Sequence, residues 1–275
     1  MNGLDESSVD MARARAALPI RPRSAVVLAV ASIAGLMMLG WPLLLDVSES
    51  ARVDPPFIFL ALLPLVIVVV LAEFSEGGMD ARVLAILGVL SAVNAILRGL
   101  GAGTAGIELV FFLLILAGRV FGPGFGFVLG CTSLFASALM TGGVGPWLPF
   151  QMLVSAWIGM GAGFLPRRLT GRVELAALVA YGIVASYMFG ILMNLSSWPF
   201  TLGIAVQGHE GSLSYVAGAP LIENLHRFGV YTLLTSTGSW DTGRAITTAV
   251  ALIVLGPAIL TTLRRASRRS VISKV

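Results

Sequence analysis

Apolar runs of membrane-crossing length recur along this 275-residue chain, at about 24–45, 57–73, 81–97, 107–119, 123–141, 149–165, 173–195 and 244–263. Backbone amides and carbonyls inside hydrocarbon must bond within the chain, so such runs fold as helices or as closed barrels. The alternating ten-residue segments of a membrane barrel are absent. Charged residues make up 12% of the chain, against about 25% in soluble domains. The fold class is therefore all-α and polytopic, with about eight spans. The run at 107–119 is shorter than the roughly 17–25 residues a full span needs, so it reads as a short span or a half-helix.

Charge placement sets the orientation. With a cytoplasmic N-terminus, 14 of the 18 Lys and Arg residues fall on inner segments: four in the N-terminal tail, Arg82, Arg119, Arg167, Arg168, Arg172, and five at the C-terminus. Arg52, Arg98, Arg227 and Arg244 fall outside. That excess puts both termini inside. The chain then divides into a disordered cytoplasmic tail (1–23), two N-terminal helices (24–73), a six-span core (80–265) and a basic cytoplasmic tail (266–275). The net charge of +4 sits in patches beside apolar runs, which marks contact with lipid headgroups and not a nucleic-acid surface.

Gly118, Gly122, Gly126 and Gly130 recur every fourth residue, and Gly159 and Gly163 repeat the spacing on the next run. In a bilayer, small residues four apart let neighbouring backbones approach closely. These six are assigned to helix packing, with Gly122-Pro123 as a helix start. Three loops fall on the outer face: 99–106, 141–148 and the 48-residue segment 196–243. The last carries Trp198, Phe200, Tyr215, Phe228, Tyr231 and Trp240, too aromatic for a solvated linker, and its stretch 220–236 reads as an interfacial helix. Flat aromatic faces with a few polar groups suit an organic ligand. The candidate substrate-binding residues are Thr104, Glu108, Trp147, Gln151, Asn194, Trp198, Tyr215, Trp240 and Asp241. The tryptophans also fit a headgroup belt, and Asn94, Gln151 and Asn194 also fit interhelical hydrogen bonding.

Other chemistry is lacking. The single lysine, Lys274, completes no G-x-x-x-x-G-K turn, and His209-Glu210 is not followed by a histidine at the zinc-protease spacing. Two histidines and one cysteine, Cys131, offer no metal centre, disulfide framework or resident cofactor site. Ionisable residues are sparse inside the spans; Glu73, Arg98, Glu108 and Arg119 lie at predicted ends, so no intramembrane charge relay is apparent. The chain reads as a non-enzyme that borrows its energy.

The block LGAGTAGIELVFFLLILAGRVFGPGFGFVLG through SLFASALMTGGVGPWLPFQMLVSAWIGMGAGFLP resembles the substrate-binding S components of energy-coupling factor (ECF) vitamin transporters. In that family a span, a glycine-rich outer loop and a short apolar segment precede a "GP..G" helix start, which here correspond to 81–97, 99–106, 107–119 and Gly122-Pro123. The resemblance implies a six-helix S-component core at 80–265 with two additional N-terminal helices. It implies capture of a vitamin under outer loops and delivery after docking on a T component carrying two ATPases, in a bacterial cell (cytoplasmic) membrane. The docking helix of the family carries small residues four apart, matched by the pairs Ala81–Ala85 and Gly88–Ala92. The actinobacterial-type block resembles the cobalamin branch, and riboflavin or another flat vitamin is compatible. The alternative is a membrane scaffold or accessory subunit without a ligand.

Overall fold

A computed structural model describes residues 22–40, 81–101, 106–200 and 211–271. The expected second span, 57–73, the tails at 1–21 and 272–275, and Thr104 lie outside the described residues. The helices are α1 (Pro22–Leu39), α2 (Ala81–Gly101), α3 (Val110–Phe121), α4 (Pro123–Thr141), α5 (Leu148–Phe164), α6 (Gly171–Ser197), α7 (Leu221–Thr232) and α8 (Thr242–Val271). A 3₁₀ turn, Trp198–Phe200, follows α6, and a π-helical stretch, Leu233–Asp241, joins α7 to α8. Among the described residues, four helical runs are long and apolar enough to cross a membrane: Ala81–Gly101, Pro123–Thr141, Gly171–Phe200 and Leu221–Arg268.

The centre of the molecule is α3. Every one of its residues is buried, as expected for a helix apolar on all sides. Helices α2, α4, α5, α6 and α8 form an arc around it, and each of them touches it. Its 12 residues rise about 18 Å, well short of the roughly 30 Å hydrocarbon core. A short helix is tolerable there because protein, not lipid, surrounds its ends. At Gly122 the backbone turns from α3 into α4 with φ 108°, and Pro123 opens the next helix.

The closest packing is between α4 and α5. A Cβ on Gly126 would fall on the Gly159 carbonyl, and one on Gly118 of α3 would fall on the same oxygen. Gly130 lies against the Ala156 backbone, and Gly163 against Pro123. Three backbones meet at Gly159, which leaves no room for a side chain. Outside the arc, α1 leans on α5, where Trp157 Nε1 donates to Ser32 Oγ at 2.9 Å.

The segment 196–243 departs from the expected loop. Its stretch from Leu221 is helical and continues through the π stretch into α8 as one run, not as a separate interfacial element. The serines, threonines and single glycine of LLTSTGSWD weaken any local helical signal. A bond within the stretch, Ser236 Oγ to Asp241 at 2.8 Å, and two contacts from α6, Gly190 against the Asp241 carboxylate and Tyr187 OH with Thr242 Oγ1 at 2.9 Å just past its end, hold it instead.

Candidate functional site

Antiparallel connections bring the C-terminal ends of α2, α4 and α6 together with the N-terminal ends of α3, α5 and α8. This aromatic end holds an ion network. Asp241, fully buried, accepts from Ser236 Oγ at 2.8 Å and from Arg244 Nη1 at 2.7 Å. Arg244 Nε donates to Glu108, at the entry to α3. The Arg244 guanidinium lies 4.9 Å from the Phe189 ring centre and 5.8 Å from that of Phe111. Those two rings are 4.9 Å apart. A buried arginine thus has two carboxylates and two π faces, the combination that makes burial of its charge tolerable. A Cβ on Gly190 would fall on the Asp241 carboxylate. Gly106, at φ +79°, lies against the Trp240 carbonyl, so the loop before α3 and the π stretch meet backbone to backbone.

A second group stands beside it. Arg98 Nη1 donates to Ser137 Oγ at 3.1 Å, and Nη2 to Gln151 Oε1 at 2.9 Å, tying α2, α4 and α5 together. Just past the end of α6, Trp198 is fully buried and donates through Nε1 to the Leu213 carbonyl at 2.7 Å. Tyr215 meets it edge-on at 5.5 Å, and Phe228 lies 5.4 Å away.

The nominated residues therefore separate. Glu108 and Asp241 join through Arg244, with Trp240 next in sequence and 43% exposed. Gln151 belongs to the Arg98 group. Trp198 and Tyr215 form a small core of their own, and Asn194, one turn before Trp198, has a buried Nδ2 without a hydrogen-bond partner. Trp147 is 51% exposed at the α4–α5 turn. Sequence reasoning missed Arg98, Arg244, Ser236, Phe111 and Phe189. Arg98, Glu108, Asp241 and Arg244 all fall at one end and sum to zero charge, and that was the available signal for pairing.

The opposite end is rich in arginine. Arg119, buried, donates through Nε to Glu174 at 2.7 Å and through its other nitrogens to the carbonyls of Leu165, Pro166 and Leu169. Arg264 Nη2 reaches both Glu174 oxygens, at 2.6 and 2.7 Å. In the α5–α6 loop, burial and then the like charge of Arg119 pull the Arg167 guanidinium below its ordinary value, with Glu174 opposing. On α2, Ala81, Ala85, Gly88 and Ala92 are all exposed, and a Cβ on Gly88 would meet nothing within 4 Å.

Among the described residues no cluster of His, Cys, Asp and Glu suits a metal ion. No curated protein and no solved structure matches the chain. The family model for the ECF transporter substrate-specific component matches residues 82–263, well over half of the sequence, and begins after α1. The chain therefore belongs to the family of ECF transporter substrate-specific components: it is a multi-pass membrane protein that works in a transporter complex with a T component and ATPases.

Proposed function

We propose that this protein captures a vitamin-sized organic substrate at its aromatic end and releases it inward when docked on its T component and two ATPases. The arrangement has eight spans in a bacterial cytoplasmic membrane, with both termini inside. Cobalamin is the leading substrate, on the resemblance of the block at 100–166. The observation that carries the reading is that the Gly106 loop, the exposed Trp147 and Trp240, and the buried network Glu108–Arg244–Asp241 all lie at one end. A network satisfied internally gives a rigid floor on which exposed polar and aromatic groups can position a ligand. The exposed stripe Ala81, Ala85, Gly88 and Ala92 is the docking face, since small residues admit a partner helix closely.

The test is direct binding by the purified protein across a vitamin panel, by native mass spectrometry and calorimetry, followed by uptake in an auxotroph carrying the full transporter set. One-to-one binding at micromolar or lower concentration is expected. Trp147→Ala should weaken it about tenfold, within the range of one lost aromatic contact. Asp241→Asn should weaken binding through displacement of Arg244, with a lower melting temperature. No ligand in the panel, together with no uptake, overturns the reading in favour of a scaffold subunit.

A further inference from the structure

Two stacked polar layers lie where α2, α4 and α5 meet. The upper one is Arg98, Ser137 and Gln151, joined by the two Arg98 hydrogen bonds. One helical turn deeper on each helix stand Asn94, Ser133 and Ser155, four residues from their upper-layer counterparts and so on the same faces. Asn94 Nδ2 donates to Ser133 Oγ at 3.0 Å, and Gly130, one turn below Ser133–Leu134, lies against the Ser155–Ala156 backbone. All three lower residues are buried. Their polar capacity is unfilled: Asn94 Oδ1 and Ser155 Oγ are buried and have no hydrogen-bond partner.

The upper layer is incomplete in charge. Arg98 contacts two neutral oxygens, while Arg244 holds both Glu108 and Asp241 and Arg227 pairs with Glu223. Glu108 acts on Arg98 only at a distance. A half-buried guanidinium bonded to neutral groups keeps donors free, and its planar fork suits carboxylate or phosphate oxygens. Buried orphan polar atoms are costly unless something pairs with them. Asn94 Oδ1 can accept from, and Ser155 Oγ can donate to, hydroxyl or amide groups of a ligand.

We infer that this seam is a subsite for an organic anion: Arg98 binds a carboxylate or phosphate, and the Asn94–Ser155 layer binds a hydroxyl or amide of the same molecule. The spacing of the two layers, four residues, is about 6 Å along the helices, which sets the separation of the two groups on the ligand. The inference rests on the substrate-capture reading above and narrows its substrate class.

The experiment uses the full-length protein in lipid nanodiscs and calorimetry with charged and neutral pairs: riboflavin 5′-phosphate against riboflavin, and pantothenate against pantothenol. The anionic member of a pair should bind at least about tenfold tighter. Arg98→Gln should weaken that member about ten- to a hundredfold, the range for a hydrogen bond to a charged group, and leave the neutral member unchanged. Arg98→Lys should recover part of the loss, and Ser155→Ala should weaken binding with Arg98 intact. Equal affinities within a pair, or an anion bound equally well by Arg98→Gln, overturn the subsite and leave substrate capture standing. Absence of binding by every compound to the wild-type protein overturns both. Should Arg98→Gln fail to fold, the affinity ratio within each pair on the wild-type protein still decides.

Discussion

At the scale of single residues, the same residue type does opposite work at two positions. Gly159 sits where the backbones of α3, α4 and α5 touch, and a methyl group there would occupy the space of the Gly126 carbonyl. Gly159→Ala should therefore destabilise the protein by about 1–3 kcal/mol, the usual cost of overpacking. Gly88 faces open space on α2, so Gly88→Ala should leave stability unchanged or raise it by up to about 1 kcal/mol through helix propensity. Thermal unfolding in one detergent compares the two. Gly88→Leu adds the functional arm: an unchanged melting temperature with loss of co-purification with the T component is expected if this face docks. Retained co-purification removes the docking assignment.

Among the elements, α3 and the α5–α6 loop show how charge is managed at a buried helix end. Arg119 closes α3 and gathers one carboxylate and three loop carbonyls, so it ties the central helix to the α5–α6 connection. Glu174 is 3% exposed and is shared between Arg119 and Arg264. Glu174→Gln leaves a buried guanidinium without its countercharge, and a loss of about 3–5 kcal/mol is expected for breaking a buried pair from one side. Arg264→Ala should cost less, because that side chain is 44% exposed and water can replace part of the bond. Chemical unfolding of the two variants should rank them in that order; equal losses would show that Glu174 does not act as the shared anchor.

For the whole molecule, the testable quantity is orientation. Cys131 is fully buried, so introduced cysteines report without background. Val144→Cys, in the exposed α4–α5 turn, should react with an impermeant maleimide in intact cells. Arg168→Cys, in the α5–α6 loop, should react only after the membrane is opened. The reverse pattern would invert the molecule and place the proposed substrate end in the cytoplasm.

What was legible in the sequence follows from what is local. Hydrophobic length is a property of a contiguous stretch, so the runs at 81–97, 123–141, 149–165 and 173–195 fall on α2, α4, α5 and α6 with shifts of a few residues. The glycines at 118, 126, 130 and 159 lie in close backbone contacts, because absence of a side chain has the same meaning whichever helix is the neighbour. Partnership is not local. Glu108 and Arg244 are separated by 136 positions; alone, Glu108 read as a charge at a span end and Arg244 as one of four outer arginines. Only the arc of helices around α3 makes them a pair, seats Phe111 and Phe189 beside the guanidinium, and holds the serine- and threonine-rich 233–241 stretch in a helix that its own residues disfavour. The sequence by itself determined where helices can cross and where backbones can touch. The tertiary structure alone decided which charges neutralise one another and left Arg98 among neutral oxygens, because neighbours across a bundle are set by packing and not by position in the chain.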